Sequence, residues 1–144
     1  MTCFDSKGNS AMPESDGFWD FYWEMRLQEL QNLGKRAAIL AASRLIRRLF
    51  EHSGQMVRLL ELGCGEGQII GALVEGHNQV PGIGSSVGVD YIHTSVLTCR
   101  ARYPVMKFIE GDFTHPELLQ SLGQFEVVLL VNALHEVFTA GFSS

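Results

Sequence analysis

The sequence has little that would tie it to a polyanion, a membrane or an oxidising compartment. Its 11 Lys and Arg are outnumbered by 16 Asp and Glu and form no stripe, so binding to nucleic acid or to an anionic lipid surface is not favoured. No apolar run approaches the roughly 18 residues that would suggest a membrane span. The N-terminal stretch carries Asp5 and has no basic segment ahead of a long apolar one, which excludes the pattern of a secretory signal. Three cysteines, Cys3, Cys64 and Cys99, stand far apart with no C-x-x-C pair. That spacing suggests neither a zinc site nor a disulfide framework, and it leaves reduced thiols in a cytoplasmic setting as the expectation. No segment repeats.

What is present is organised around one stretch, Leu59-Leu60-Glu61-Leu62-Gly63-Cys64-Gly65-Glu66-Gly67-Gln68-Ile69-Ile70. A short apolar run of this kind reads as a buried strand. Glycines at alternate positions directly after it let the backbone turn sharply and approach a ligand closely, because no Cβ intervenes. A helix that follows would turn its N-terminal N–H groups toward that ligand. The pattern is a strand–loop–helix nucleotide site. It departs from the dinucleotide fingerprint G-x-G-x-x-G, whose third glycine would fall on Gln68.

The remaining chain of 144 residues is long enough for one domain with a core of its own. Residues 1–16 are polar and read as a mobile leader. Phe18-Trp19-Asp20-Phe21-Tyr22-Trp23 opens a helix expected to run to about Asn32, before Gly34. So many aromatics cannot share one helical face; they either staple the helix to the body or form a lid, with Tyr22 and Arg26 at i, i+4 spacing. Lys35 to about His52 is a second helix, with Ile39, Leu40, Leu45, Ile46, Leu49 and Phe50 as a broad apolar stripe and Arg44, Arg47 and Arg48 as a solvated face.

Strand one is expected at Val57–Leu62 and the next helix over Gly67–Glu75. Gly76–Ser86, with its glycines and proline, reads as a loop. Strand two is Val87–Asp90. The carboxylate of Asp90 can accept hydrogen bonds from both ribose hydroxyls of a nucleotide, or it can serve as a charge at the N-terminus of the helix over 94–102. Tyr91 and Ile92 are placed to lie against an adenine face. Strand three, Met106–Glu110, leads to Asp112 and Phe113. Asp112 can accept from an adenine amine with Phe113 beside the ring, or it can make an Asx-turn or N-cap before a helix over 116–122. Strand four, Phe125–Val131, is a near-continuous apolar run of the kind found in parallel strands covered on both faces.

These endings, taken in order, resemble the motifs of the class I, Rossmann-like S-adenosylmethionine-dependent methyltransferases. Glu61–Gly67 resembles motif I, Val89-Asp90-Tyr91 the acidic second motif, Glu110–Phe113 the adenine-contacting motif, and Asn132-Ala133-Leu134-His135 the fourth-strand motif. The likeness spans about residues 57–138. The last motif is not the Asn/Asp-Pro-Pro-Tyr of enzymes acting on exocyclic amines of DNA bases. It looks closer to the Leu-His-His variant of small-molecule enzymes, with Glu136 replacing the second histidine.

The resemblance implies an α/β, three-layer sandwich with parallel strands in the order 3-2-1-4. The sheet is incomplete relative to the family's 3-2-1-4-5-7-6, since the chain stops after the fourth strand. One domain would span 1–144, with a helical cap over 17–55 and the Rossmann-like core over 56–138. It further implies S-adenosylmethionine as cofactor and a small-molecule methyl acceptor. Gly63, Cys64 and Gly65 would approach its methionine part and Glu61 would hold its amino group. Asp90 would bind the ribose, Tyr91 and Phe113 would flank the adenine, Asp112 would read its amine, and Asn132 would sit near the methionine end. His135 is the candidate general base, or a histidine fixed at a helix start. The alternative function is a non-catalytic or regulatory protein on a truncated methyltransferase fold. An apolar fourth strand at the sheet edge, without lysine or proline to block pairing, points either to self-association there or to a need for the rest of the family's sheet.

Overall fold

The computed structural model describes residues 16–75, 79–131 and 133, with side chains described from Asn32 onward. The expected leader, the aromatic cluster's packing, Asn132 and His135 lie outside these. The chain divides into two compact units, one ending at Gly34 and the other beginning at Lys35. The first is represented by helical backbone from Asp16.

The order of elements is α1 (Asp16–Ser53), β1 (Val57–Leu62), α2 (Gln68–Val74), β2 (Ile83–Asp90), α3 (His93–Arg102), β3 (Lys107–Glu110), α4 (Pro116–Leu122) and β4 (Val127–Leu129). The strands form one parallel sheet in the order β3-β2-β1-β4, the order expected. Of the described helices, none is long and apolar enough to cross a membrane.

Side chains alternate across the sheet and build two cores. On one face, Val57 and Leu59 of β1 join Phe108 of β3 and Val127 of β4. There they pack with Ala42 and Ile46 of α1, Ile69, Ile70 and Leu73 of α2, and Val96 and Cys99 of α3. On the other, Leu60, Leu62 and Val89 meet Phe113, Leu118, Leu122 and Phe125. The crossover from β3 to β4 therefore places α4 opposite α2 and α3, giving three layers.

Three boundaries differ from the sequence expectation. Gly34 does not end a helix: α1 continues through it, since a lone glycine costs only about 1 kcal/mol in a helix flanked by strong formers. The apolar stripe of α1 is also narrower than expected, with Leu40 and Leu45 exposed. β2 starts at Ile83 rather than Val87, because β1 supplies pairing partners for Ile83, Ser85 and Ser86 in register with Val57, Arg58 and Leu59. Cross-strand pairing outweighs the weak strand propensity of Gly84-Ser85-Ser86. β4 pairs only over Val127–Leu129, and Val128 is 53% exposed, so this strand is not covered on both faces at that position.

At the amino end of the sheet, Arg58 and Glu126 tie β1 to β4. The guanidinium Nε and Nη2 donate to both Glu126 oxygens at 2.6–3.1 Å, and the Arg58 backbone N–H donates to Oε2 at 2.7 Å. The Arg58 side chain holds the Glu126 carboxyl down at about 2.

Close packing of α2 on Tyr103 depends on the absence of a side chain at Gly71. A Cβ there would overlap the Tyr103 ring. Gly71→Ala should destabilise the chain by about 1–3 kcal/mol, the usual cost of overpacking. Urea unfolding checks this, with Tyr103→Ala in the same chain relieving part of the loss. Equal midpoints for the single variant and the parent would show that the ring can move aside freely.

Candidate nucleotide site

Register puts the carboxyl ends of the strands side by side. Glu61 pairs with Gly88 and with Leu129, and Asp90 with Glu110. From β1 the chain runs outward to β2 and β3, then returns to β4 on the other flank of β1. The crevice where the order reverses is the usual ligand position in such sheets, and the glycine loop after β1 stands there.

Gly63, Gly65 and Gly67 all have positive φ, at 71°, 53° and 75°, a region costly for residues with a Cβ. Two of them differ in their surroundings. A Cβ on Gly63 would strike Ala133, 2.6 Å away, with Phe113 3.6 Å away. A Cβ on Gly65 would meet nothing within 4 Å. Gly63 is thus packed between the loop after β4 and an aromatic wall, while Gly65 faces open space.

The tail of β2 holds the loop. The carbonyl of Val89 accepts from the N–H groups of Gly63 at 2.8 Å and Cys64 at 3.0 Å. Oδ2 of Asp90 accepts from the Gly65 N–H at 2.8 Å, and Oδ1 from the Ile92 N–H at 2.9 Å. Asp90 is 5% exposed. Its carboxylate therefore does what the helix-terminus reading requires, since Ile92 caps α3, and also fixes the glycine loop. The loop N–H groups at 63, 64 and 65 are spent on this bonding. α2 begins only at Gln68 and has seven residues, and its Ile70 N–H turns inward to Oε2 of Glu61 at 3.1 Å.

Glu61 is 2% exposed. Burial pushes its carboxyl from 4.5 up to about 8, against the opposing pull of the Ile70 N–H and the Lys35 ammonium. Lys35 itself donates from Nζ to Oε1 of Gln68, so a cation from α1 stands at the start of α2. In the sequence Lys35 reads only as a helix-start residue, and no local pattern joins it to Gln68. Beneath the loop, Cys64 and Cys99 are buried and each thiol reaches the Gly65 carbonyl, at 3.8 and 3.2 Å. Burial raises both thiol pKa values.

On the far side, Tyr91 is 55% exposed beside Ile92. Phe113 is half-buried against the core formed by Leu60, Leu62 and Val89. Asp112 makes the Asx-turn: Oδ1 accepts from the Thr114 N–H at 2.8 Å and its hydroxyl at 2.6 Å. The hydrogen bonds from Thr114 hold its carboxyl below the usual range. His115, not Asp112, caps α4. Among the described residues Oδ2 of Asp112 has only the distant His115 Nε2, at 3.6 Å. Glu61, Gly63, Cys64, Gly65, Asp90, Tyr91, Asp112 and Phe113 therefore all border the carboxyl end of β1–β3.

A family model described as "Methyltransferase domain" matches residues 60–141, more than half of the chain. The chain belongs to this family. Among solved structures, the methyltransferase domain is similar to WbdD, a bifunctional kinase-methyltransferase, with 20% identity, 71% of this chain and 23% of that one covered, and a TM-score of 0.56. It is also similar to the plantazolicin methyltransferase BamL, solved with a triazolic desmethylPZN analog and SAH. There the identity is 15%, with 73% of this chain and 37% of that one covered, and a TM-score of 0.53. The plantazolicin methyltransferase BpumL, solved with a monoazolic analog and SAH, gives 15% identity, 78% and 43% coverage, and a TM-score of 0.51. These likenesses show a shared fold, and the chain spans less than half the length of each. No curated protein matches the sequence.

Two outcomes follow from the site's electrostatics. Asp90→Ala removes the acceptor of two N–H groups and should cost about 1–3 kcal/mol of stability, the penalty for leaving buried donors unpaired; thermal unfolding measures it. An unchanged melt would show that water replaces the carboxylate without loss. For Glu61 the sign runs the other way. Its folded pKa lies above the unfolded value, so the folded domain holds the extra proton, and stability falls as pH rises from about 4.5 to about 8. Glu61→Gln keeps an acceptor for Ile70 and carries no charge, so it should melt higher than the parent at pH 8 and nearly with it at pH 5. Parallel melting curves across that range would contradict the raised pKa.

Proposed function

We propose that this methyltransferase domain binds S-adenosylmethionine and supplies the cofactor half of a methyltransferase acting on a small-molecule acceptor. The observation that carries the reading is a glycine loop, open at Gly65, that follows β1 with its buried Glu61 and is held by the buried Asp90 at the end of β2, where the strand order reverses. A nucleoside joined to an amino acid asks for this pair: an acceptor for ribose hydroxyls and an acceptor for an ammonium. SAH in the fold-related BamL and BpumL structures supports the same choice.

S-adenosylmethionine, when bound, supplies a methyl already activated on a sulfonium, so the protein needs chiefly to position and to exclude water. Asp90 reaches the ribose while holding the Gly65 N–H, so ligand and loop share one carboxylate. Gly65 lets the backbone lie close. Tyr91 and Phe113 offer faces to the adenine, and Asp112 offers Oδ2 to its amine. Glu61, protonated near neutrality when nothing faces it, loses its proton as an ammonium comes beside it, because the positive charge stabilises the carboxylate. Among the described residues β4 is an edge strand of the sheet with Val128 and Leu130 exposed, which supports self-association through that strand.

Isothermal titration with S-adenosylhomocysteine tests the reading, and saturable binding below millimolar concentration is expected. A folded chain that binds none of it at millimolar concentration would overturn it. Binding without methyl transfer to amine, thiol or hydroxyl acceptors would favour the non-catalytic alternative.

A further inference from the structure

Under the glycine loop lie two thiols whose sulfurs the cofactor reading does not use. Cys64 belongs to the loop and Cys99 to α3, and both are buried. They meet at one atom. The Cys99 thiol donates to the Gly65 carbonyl at 3.2 Å, and the Cys64 sulfur stands 3.8 Å from the same oxygen. The two thiols also hydrogen-bond each other. Two glycines make the room for them. A Cβ on Gly88 of β2 would sit 3.0 Å from the Cys64 sulfur, and one on Gly67 would sit 3.2 Å from the Cys99 sulfur.

From this geometry we infer that Cys64 and Cys99 are a reversible dithiol switch, and that a disulfide between them weakens ligand binding at the loop. The oxidant is a hydroperoxide, with hydrogen peroxide the simplest. Cys99 reacts first, because its hydrogen bond with Cys64 favours the ionised form against the effect of burial. Its thiolate attacks one peroxide oxygen and the O–O bond breaks. The departing hydroxide takes up the thiol proton and leaves as water, and Cys99 is then a sulfenic acid. The Cys64 sulfur attacks that sulfur, the S–O bond breaks, and the second hydroxide leaves as water with the Cys64 proton. The two thiols have then lost two electrons and two protons, and the peroxide has become two waters. A thiol–disulfide exchange with a dithiol reverses the bond. Transient disulfides of this kind are the form that redox sensing takes in a reducing compartment.

The inference rests on the cofactor reading above and adds a control to it. α3 is fixed where it carries Cys99: the residue is fully buried, and its carbonyl accepts the Tyr103 N–H. Cys64 lies in a loop, so closure of the two sulfurs to bonding distance draws the loop rather than the helix. Gly65 is the next residue, and its open side is the one turned to a ligand. Its carbonyl also loses the Cys99 thiol as a donor once that proton is gone. The effect runs in both directions. Burial keeps the thiols from reacting until the loop lifts, so a ligand that holds the loop down slows the oxidation.

The experiment uses the full chain with Cys3→Ser, so that no third thiol competes, and treats it with hydrogen peroxide and then with dithiothreitol. Peptide mass mapping should find the Cys64 and Cys99 peptides joined after peroxide and separate again after reduction. Titration with S-adenosylhomocysteine should show the oxidised chain binding about 10-fold or more weakly, the equivalent of one good hydrogen bond, with recovery on reduction. Cys99→Ser keeps a hydroxyl donor for the Gly65 carbonyl and cannot form the bond, so its affinity should be the same before and after peroxide. Three results would overturn the switch and leave the cofactor reading standing: sulfinic or sulfonic acids without a linked peptide, a linked chain of unchanged affinity, or an equal loss of affinity in Cys99→Ser. Failure of the reduced chain to bind S-adenosylhomocysteine would overturn both.

Discussion

The last two residues of β2 determine the shape of the site. The Val89 carbonyl accepts two loop N–H groups and the Asp90 carboxylate a third, so a loop of three left-handed glycines, which has many conformations when unfolded, is confined to one. The pairing of β1 with β2 in register from Leu59–Ser86 to Leu62–Val89 brings these acceptors under the loop. A slip of one residue would turn Asp90 to the other face of the sheet and remove the acceptor from Gly65. Loop geometry is therefore a property of sheet register rather than of the glycines alone.

The two buried carboxylates are sustained in different ways. Asp90 receives two backbone N–H donors, one to each oxygen. Glu61 receives one, and burial leaves it favouring the protonated form near neutrality. Asp90 thereby holds the glycine loop and the start of α3 in place. Both lie on the α1–α2–α3 face of the sheet, with Lys35 bringing positive charge to that face from α1.

Much of this was legible in the sequence because the informative pieces are local. Alternate glycines after an apolar run, an acidic residue closing each of the next strands, and a helix after each ending specify a parallel sheet and the end of it that carries a ligand. The pieces that were not legible depend on distant partners. Strand two starts four residues early because β1 is there to pair with Gly84-Ser85-Ser86, whose composition alone reads as loop. α1 passes through Gly34 because its neighbours favour helix. The bond from Gly65 to Asp90 and the approach of Lys35 to Gln68 join segments of separate elements, and no spacing rule connects them. Asp112 shows a different gap: its Asx-turn and its adenine role are both readable, and the hydrogen bonds from Thr114 engage Oδ1 while leaving Oδ2 outside that turn.

The buried thiols under the loop have a practical meaning. Cys64 and Cys99 both meet the Gly65 carbonyl and are screened from solvent by the loop, with pKa values raised above that of a free thiol. A bulky alkylating reagent reaches neither sulfur until the loop lifts, and reaction then requires the thiolate. Chemical labelling of these two positions thus acts as a clock for local opening, timing how often the ligand-facing backbone leaves its closed shape.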